Sequence, residues 1–519
     1  TTNHRRCRTA LLTGSRPCWT RPVLNFPEAE EMSSTTPDII SFDTRHKSRL
    51  LSDSQLERLK SATLQVLAEV GVNLPSRRGL EVFADHGAQV DMEKEIVRIP
   101  PDLVLKGMAT APRSFTLAGR EPRFDLVLDG NHSYLATDGC GVTVVDAVTR
   151  EQRPSCKEDV ARMAQVCDNL PLVSFFWPLV SAQDYGIAAP VHECHAGLTN
   201  TLKHVRGGTT VHPRLARYII ELAAAVAGNT QALRERPPIC ANICTIAPLA
   251  HDHDGMETGL MYAEAGIPAS YMAMPTMGST APATPLGALV TADAEVISAM
   301  VLVQLLYPGA PVFHSIMSSL MDPRTGGYIS DLSIPMSQMA VELAHAWNVP
   351  SLGGGSTSSD APELGWESGT SSGVGSILIP LLGGEVCGYI GMTAGSMVMY
   401  PEQVILDHET CMNAHEYFQG FEFNETDLAL DVIAEVGPAS HYLLQKHTRQ
   451  HIRDFRLSPL VRQKDDQGDF RDPRQVALEQ YLQIESSHQP EPLPEATSQE
   501  LERIMAAVDN EAASIEKGK

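Results

Sequence analysis

Positive charge and long hydrophobic runs are both scarce in this chain of 519 residues. Its 40 Lys and Arg residues face 63 Asp and Glu residues, so the formal net charge is -23 at pH 7. Nucleic acids and anionic membranes both require a concentrated positive face, so we expect the protein to bind neither. No apolar run reaches the ~20 residues that span a bilayer, and the sequence therefore predicts no transmembrane helix.

Paired cysteines and metal-binding spacings are also absent. The ten cysteines are scattered along the chain, which is typical of a reducing compartment, and we expect a cytoplasmic protein. The nearest approach to a metal site is HECH at His192–His195, followed at a distance by Cys240 and Cys244. The spacing of structural zinc is missing, so buried cysteines and a surface histidine are the favoured interpretation and we expect no metal.

What the sequence does contain is a regular alternation of strand and helix patterns. Ile267–Pro275 has the length and apolar character of a buried strand, and Leu286–Leu306 predicts a helix too apolar to face solvent on any broad side. Val312–Ser319 then predicts a second buried strand. A strand, a crossover helix and a parallel strand form a right-handed unit, and ligands bind near the ends of such strands.

Eight such units follow one another when Ser133–Gly139 is counted as the first strand. Eight units predict an α/β fold, a (β/α)8 TIM barrel. An open doubly wound sheet is the alternative, but no G-x-G-x-x-G opens a first helix. The predicted regions are an N-terminal extension (1–50), an α+β elaboration of helices and antiparallel strands (51–132), the barrel (133–420) and a C-terminal helical region with a linker (421–519). We expect the extension to be disordered or partly artefactual, since Met32 is a more plausible start than Thr1.

Aromatic residues near the predicted strand ends are the first candidates for a binding site. Aromatic faces attract quaternary ammonium groups, which cannot donate hydrogen bonds, by ~0.5–2 kcal/mol each. Packing in the barrel core is the competing interpretation for every one of them. Tryptophan is scarce, with four in the chain, which favours Trp177 and Trp366. The full set of candidates is Phe176, Trp177, Tyr271, Trp366 and Tyr389.

Three titratable residues complete the candidate site. Glu367 opens the helix after the seventh strand, where its charge could face a substrate cation or simply favour the helix dipole. His314 could hydrogen-bond a substrate carboxylate or donate a proton, or it could be a satisfied core histidine. Arg206, in the third strand, could pair with a substrate carboxylate, although a structural ion pair is the simpler interpretation. Glu367 and His314 are thus the catalytic candidates, and Arg206 is a substrate-binding candidate.

Five segments carry a resemblance to a known family. They are GSTAPATPLGALVTADAEVISAMVLVQLLYPGAPVFHS, FTLAGREPRFDLVLDG, HVRGGTT, GGGSTSSDAPELGWES and EVGPASHYLLQKHTRQHIR. These segments resemble the trimethylamine methyltransferase family, the corrinoid-dependent amine and betaine methyltransferases. The resemblance extends over about residues 51–462. It implies a barrel that transfers a methyl group to the corrinoid (cobalamin) of a separate protein, and the chain should be the substrate-activating half, because no D-x-H-x-x-G corrinoid-attachment motif is present.

The resemblance also bears on the substrate. Trimethylamine-specific members carry an encoded pyrrolysine at about Thr357–Asp360, where this chain has Thr, Ser, Ser and Asp. The chain therefore resembles the branch without pyrrolysine, whose members demethylate quaternary amines such as glycine betaine. A quaternary nitrogen leaves as a neutral tertiary amine, so no proton need be supplied, and the site has only to orient one methyl group.

Small residues at strand ends let a bulky partner approach the backbone closely. Gly207, Gly208, Gly354 and Ser358 are therefore the predicted face for the corrinoid protein, and we also expect a homo-oligomer. Two alternatives stay open. One is a barrel that binds quaternary amines without catalysis, and the other is a zinc-dependent corrinoid methyltransferase.

Overall fold

The computed structural model describes residues 35–139, 141–209, 211–330, 334–420 and 423–517. Most of the predicted N-terminal extension, including Met32, lies outside these residues, as does Thr210 at the end of the third predicted strand. Eight parallel strands alternate with eight helices, and we number them β1–β8 and α1–α8. The strands are β1 (His132–Thr137), β2 (Val173–Phe176), β3 (His204–Gly208), β4 (Ile239–Cys244), β5 (Ala269–Ala273), β6 (Val312–Ile316), β7 (Leu352–Ser356) and β8 (Val386–Ile390). The helices are α1 (Lys157–Asp168), α2 (Ala189–Asn200), α3 (Pro213–Ala227), α4 (His253–Ala265), α5 (Pro285–Leu306), α6 (Ile334–Ala346), α7 (Trp366–Leu382) and α8 (Gln403–Gln419).

The strands form a nearly closed barrel. Their order is β6-β5-β4-β3-β2-β1-β8-β7, and every pair along it is parallel. A parallel bridge between His314 and Ser351 links β6 to β7, and the N–H of His314 donates to the carbonyl of Pro350 at 2.9 Å. The predicted (β/α)8 barrel is confirmed, and the eight predicted strands are the eight that form it.

The N-terminal elaboration covers the outside of helix α5. It contains the helices Asp53–Glu69, Arg77–Asp85 and Pro101–Met108 and an antiparallel sheet of Val72–Asn73, Ile96–Arg98 and Gln89–Asp91. The first and third of these helices pack on α5. By length and composition α5 could cross a membrane, but 78% of its most apolar window is buried inside the protein. Its apolar residues therefore serve two layers of packing, one against the barrel and one against the added helices.

A hairpin closes the N-terminal end of the barrel. Its strands, Phe115–Leu117 and Leu126–Leu128, pair antiparallel, and Leu117, Leu126 and Leu128 join the cluster of side chains inside the barrel. The rings of Phe115 and Phe313 lie 5.6 Å apart. This plug leaves the opposite end, where the strands terminate, as the end at which the interior can receive a ligand.

Residues 35–50 lie against the barrel, although the sequence analysis assigned them to a disordered extension. The strand Phe42–Asp43 pairs antiparallel with β1, and Phe42 is almost fully buried. Phe42 packs edge-on to His415 of α8, with ring centroids 5.4 Å apart. The sequence pattern missed this strand because two residues are too few to show a period.

The remaining elements lie around the barrel. Helices Pro473–Ser487 and Glu495–Lys517 return to pack on α8 and α3, whereas Leu430–Val436 and Lys446–His451 contain no buried side chain. The short strands are Thr143–Val145, Gln152–Pro154, Thr276–Met277, Ser319–Met321, Tyr328–Ile329 and Val398–Met399, and a short helix spans Thr230–Glu235.

Candidate active site

A cavity of about 660 Å³ opens at the C-terminal ends of the barrel strands. Asp138 and Gly139 line it directly after β1, Trp177 after β2, and Met274 after β5. This is the end of a (β/α)8 barrel at which substrates bind, and the volume lies within the usual range for small-molecule sites. The cavity is therefore the candidate active site.

The walls of the cavity carry hydroxyl groups and methionine side chains. Asp138 is the one charged residue among the described residues that line it. The serine and threonine residues are Thr276, Ser318, Ser319, Ser330, Ser337, Ser356, Ser358, Thr370, Ser371 and Ser396, the tyrosines are Tyr328 and Tyr389, and the methionines are Met272, Met274, Met317 and Met397. Methionine is flexible and polarisable, so these walls suit a small polar ligand that also presents methyl groups.

Asp138 supplies a nearly buried carboxyl group, with 3% of its surface exposed. Its Oδ1 accepts a hydrogen bond from the N–H of Gly139 at 2.8 Å, and its Oδ2 accepts one from the Ser396 hydroxyl at 2.5 Å. Burial raises the pKa of Asp138, while hydrogen bonds from Ser396 and Ser358 and the charge of Arg206 act in the opposite direction. A cation bound in the cavity would therefore stabilise the ionised carboxylate.

A buried guanidinium lies beside the same cavity. Arg206 in β3 is 1% exposed, and its Cζ lies 3.3 Å from the centroid of the Trp177 ring. A Cβ atom on Gly139 would lie 2.3 Å from the same indole, so the glycine backbone packs directly on it. Because Arg206 and Gly139 both cover Trp177, this tryptophan holds the guanidinium in place and offers a ligand cation little free aromatic surface.

Tyr389 completes the inner wall. Its ring lies edge-on to Trp177, with centroids 6.1 Å apart and an interplanar angle of 72°. The hydroxyl is buried and has no hydrogen-bond partner within the part of the chain that the structure describes. Burial raises the pKa of Tyr389, with the charge of Arg206 opposing, so the hydroxyl stays a proton donor close to that guanidinium. A buried hydroxyl without a partner is uncommon and indicates a place for a polar ligand group.

Comparison with known proteins places this chain in a family. The family model for trimethylamine methyltransferase matches residues 27–513. This chain belongs to the trimethylamine methyltransferase family. The family predicted from the five sequence segments is thus confirmed, and the protein is a methyltransferase.

Three curated members of the family show how similar the chain is to them. The trimethylamine methyltransferase of Desulfitobacterium hafniense (strain DCB-2) is 32% identical over 468 residues, which are 89% of this chain and 94% of that protein. The trimethylamine methyltransferase of Methanosarcina thermophila is 28% identical over 459 residues, or 86% of this chain and 94% of that protein. The glycine betaine methyltransferase of Desulfitobacterium hafniense (strain Y51) is 29% identical over 427 residues, or 79% and 86%.

Five of the residues predicted for the site of this methyltransferase lie at the cavity. Trp177, Tyr389, Gly354 and Ser358 line it, and Arg206 packs on Trp177. Gly354 has a φ of 129°, a conformation that side-chain-bearing residues avoid, so glycine is required in this part of the wall. The functional roles of these five residues stay predictions.

Three other predicted residues face away from the cavity, and their assignment to the site is corrected here. Phe176, Tyr271 and His314 are fully buried on the outer side of their strands, against the surrounding helices. A Cβ on Gly259 of α4 would lie 2.7 Å from the Tyr271 hydroxyl, and Nε2 of His314 lies 2.8 Å from Asp293 of α5. Successive residues of a strand point to opposite faces, so the neighbours of inward-facing residues must point outward.

Two glycines of the predicted partner face, Gly207 and Gly208, do not lie at the cavity. A Cβ on Gly207 would lie 2.5 Å from the sulfur of Cys194 in α2, and one on Gly208 would lie 2.9 Å from Ala241. Both glycines therefore face packed neighbours on the barrel exterior, and neither lines the cavity. Their small size lets helices approach β3 closely, which is a packing role.

Trp366 and Glu367 lie outside the cavity, at the solvent-exposed start of α7. Trp366 is 90% exposed, and Glu367 is exposed as well. Thr370 and Ser371, one turn further along α7, do line the cavity. A first-turn side chain points back toward the helix N-terminus, so Trp366 and Glu367 lie at the rim instead of inside.

The sequence analysis did not select Asp138 or its partner Ser396. Asp138 follows directly after the first barrel strand, and that position is the signal that could have identified it. Ser396 reaches it from the loop after β8, which no local pattern predicts. Among the described residues, no group of three or more His, Cys, Asp or Glu side chains could hold a metal ion. His192 of the HECH motif instead contacts Lys157 at 3.0 Å and Asp509 at 2.9 Å.

Proposed function

We propose that this methyltransferase takes a methyl group from a betaine, a quaternary amine that also carries a carboxylate, and passes it to the cob(I)alamin of a separate corrinoid protein. The observation that carries the proposal is a pair of opposite charges, a carboxyl group that lines the cavity and a buried guanidinium that packs on the lining residue Trp177. Asp138 lines the cavity, and the charge of Arg206 opposes the burial that raises the pKa of Asp138. A betaine carries the same two charges within one small molecule.

Each end of a betaine has a suitable counterpart in this arrangement. A guanidinium presents planar, paired N–H donors that match a carboxylate, and the neighbouring Tyr389 hydroxyl supplies one further donor. The ammonium end would lie nearer the Asp138 carboxylate and the methionine side chains. Trimethylamine lacks a carboxylate, so it would form no charge-assisted hydrogen bond with Arg206 and would gain no binding energy from that residue.

The chemistry requires orientation more than acid or base catalysis. When a methyl group leaves a quaternary nitrogen, the bonding electrons stay on nitrogen and a neutral tertiary amine departs, so no proton has to be delivered. The residues of the cavity would act by fixing the substrate at both ends, with one methyl group directed toward the open end of the barrel. This division of roles explains how a site with one lining carboxyl group could suffice.

The methyl acceptor would have to approach from outside this chain. The cavity of about 660 Å³ suits a molecule the size of glycine betaine, whereas a corrin macrocycle with its side chains is larger. Cob(I)alamin supplies the nucleophile that accepts the methyl group. Ser358, Thr370 and Ser371 at the cavity wall would lie on the route by which such a partner reaches the substrate.

The test is methyl transfer to free cob(I)alamin with the purified chain and a panel of donors, followed by the change in cobalamin absorbance. The panel contains glycine betaine, proline betaine, carnitine, choline and trimethylamine. We expect the carboxylate-bearing quaternary amines to be the better donors. Transfer from trimethylamine with none from any betaine would show that the proposal is wrong.

A further inference from the structure

Asn242, in strand β4, brings an amide group to the wall of the cavity. It is 4% exposed and lines the cavity. Among the described lining residues it is the one side chain that carries an amide, so it offers two N–H donors on a single nitrogen. Apart from Asp138 and Asn242, the polar side chains of this wall carry hydroxyl groups, thiol or thioether sulfur, or the indole of Trp177.

The two ends of the Asn242 amide have very different partners. Its Oδ1 accepts a hydrogen bond from the hydroxyl group of Ser270 in β5. The acceptors near its Nδ2 are both sulfur atoms, Sγ of Cys244 at 3.6 Å and Sδ of Met272 at 3.9 Å. Thiol and thioether sulfur are weak acceptors, so the nitrogen has no strong acceptor within the described residues. A nearly buried donor in this condition points to an acceptor that a ligand supplies.

The orientation of the amide follows from the same neighbours. A thioether sulfur has no hydrogen to donate, so it cannot pair with the amide oxygen, and the nitrogen takes the side of Met272. Ser270 holds the oxygen on the other side. Because Cys244 and Met272 both line the cavity, the N–H donors are fixed in direction at its wall before a ligand binds. A donor that is already oriented loses little entropy on binding.

Arg206 lies beside this amide. It pairs with Cys240 in the register of β3 and β4, and Cys240 and Cys244 flank Asn242 on the same face of β4, because side chains alternate along a strand. Burial raises the pKa of both thiols, and the charge of Arg206 opposes that effect for each of them. A guanidinium whose charge reaches the residues on either side of Asn242 is close to Asn242 itself.

A carboxylate is the ligand group that fits these donors. Its two oxygens accept at about four sites, so a single guanidinium leaves some of them unfilled. Arg206 from β3, Asn242 from β4 and Tyr389 from β8 supply donors from three strands, and a carboxylate that leaves water needs such donors. A quaternary ammonium group has no acceptor and gains nothing from an N–H donor. The amide therefore distinguishes ligands that carry a carboxylate from ligands that do not.

We propose that Asn242 is a specificity-determining residue whose Nδ2 donates to the carboxylate of the substrate and exchanges its weak contacts with Cys244 and Met272 for that bond. The inference rests on the proposed function, because it names a further contact for the same carboxylate. Arg206 supplies the charge that attracts the carboxylate. Asn242 fixes the direction of the carboxylate, and with it the position of the ammonium group at the other end of the substrate.

Calorimetric titration of the full chain with glycine betaine and with tetramethylammonium, which has no acceptor, tests the proposal. Asn242→Asp keeps the shape of the side chain and the acceptor for Ser270, but it replaces the two donors by a negative charge that the nearby Arg206 keeps ionised. The affinity for glycine betaine should fall at least ~100-fold, because a donor is lost and a like charge is added. The affinity for tetramethylammonium should stay within about threefold or rise.

A second variant and a matched control complete the experiment. Asn242→Leu removes the amide without adding charge, so the affinity for glycine betaine should fall about 10- to 150-fold and that for tetramethylammonium by less than about threefold. The Ser270 hydroxyl also lies 3.4 Å from the carbonyl of Ala241, so it keeps an acceptor in this variant. Asn510→Asp makes the same change as Asn242→Asp at an exposed position of the helix Glu495–Lys517 and should alter neither affinity.

Thermal melting followed by circular dichroism identifies the variants that are folded. If a folded Asn242 variant bound glycine betaine as tightly as the wild type, or lost equal affinity for both ligands, Asn242 would not bind the carboxylate. The inference would then be wrong while the proposed function stood. A wild-type chain that bound no betaine would overturn the proposed function and this inference with it.

Discussion

The replacement of Arg206 is the most direct test of how the cavity recognises its ligand. Arg206→Met removes the buried charge and keeps an apolar chain over Trp177. A charge-assisted hydrogen bond to a carboxylate contributes about 1.5–3 kcal/mol, so the affinity for glycine betaine should fall about 10- to 150-fold. Choline carries the same trimethylammonium group without a carboxylate, and its affinity should change by less than about threefold, since no such bond is lost.

Calorimetric titration of both ligands against wild type and variant measures this difference directly. Arg206→Lys is the matched variant that keeps the charge but loses the planar pair of donors. Its affinity for glycine betaine should lie between those of the wild type and Arg206→Met. Tyr389→Phe should lower the affinity for glycine betaine by a smaller factor, about 2- to 10-fold, as expected for the loss of one neutral hydrogen bond. If Arg206→Met lost equal affinity for glycine betaine and for choline while its melting curve stayed unchanged, Arg206 would not bind a carboxylate.

Three further results follow from the structure. Asp138→Asn should weaken the binding of glycine betaine and of choline alike, at least ~10-fold. Because burial raises the pKa of Asp138, calorimetry of the wild type should show both affinities falling with decreasing pH already above pH 3.8, and this fall should be absent in the variant. His314→Ala should lower the free energy of unfolding in urea by about 2–3 kcal/mol without changing ligand affinity, because it removes a partner from the buried Asp293. Burial lowers the pKa of His251 from 6.5 to about 4, so between these two pH values the unfolded chain binds a proton that the folded chain does not. The free energy of unfolding in urea should therefore fall as the pH falls from 6.5 to about 4, by about 1.4 kcal/mol per pH unit more in the wild type than in His251→Gln.

The structure changes the expected basis of cation binding. The sequence suggested an aromatic cage of several rings, but only Trp177 and Tyr389 of the aromatic candidates line the cavity, and Trp177 is occupied by Arg206. The cavity therefore offers a carboxyl group, hydroxyl groups and methionine sulfur where open aromatic faces were expected. This arrangement is the basis of the proposal that the ligand carries both charges.

The membrane-like composition of α5 also has a structural explanation. A helix buried on two sides must be apolar on both, and the helices Asp53–Glu69 and Pro101–Met108 provide the second side. Its two acidic residues, Asp293 and Glu295, are fully buried and partnered: Asp293 by His314 and Trp347, and Glu295 by Thr245 and the backbone of Leu249. Such partnered charges are typical of a core helix.

The sequence by itself determined the barrel, because local periodicity predicts each strand and each helix. The number of these units then predicts that the sheet closes into a barrel. It also placed Trp177 and Tyr389 near the ends of the predicted strands and Arg206 within the third strand. It could not decide which face each residue takes, since irregularities such as the register shift between Arg206 and Gly208 change the alternation without leaving a mark in composition. Phe176, Tyr271 and His314 lie in regularly alternating parts of their strands, and they were selected for their place near the strand ends without regard to the face that the alternation gives them.

Only the tertiary structure decided which side chains meet. Asp138 and Ser396 are 258 positions apart, and Arg206 reaches Trp177 from a neighbouring strand. These contacts depend on strand tilt, stagger and the loops above the barrel, which arise when the whole sheet closes and cannot be read from any one segment. The chain thus encodes the scaffold locally, whereas the charge pair that distinguishes this cavity exists only in the closed barrel.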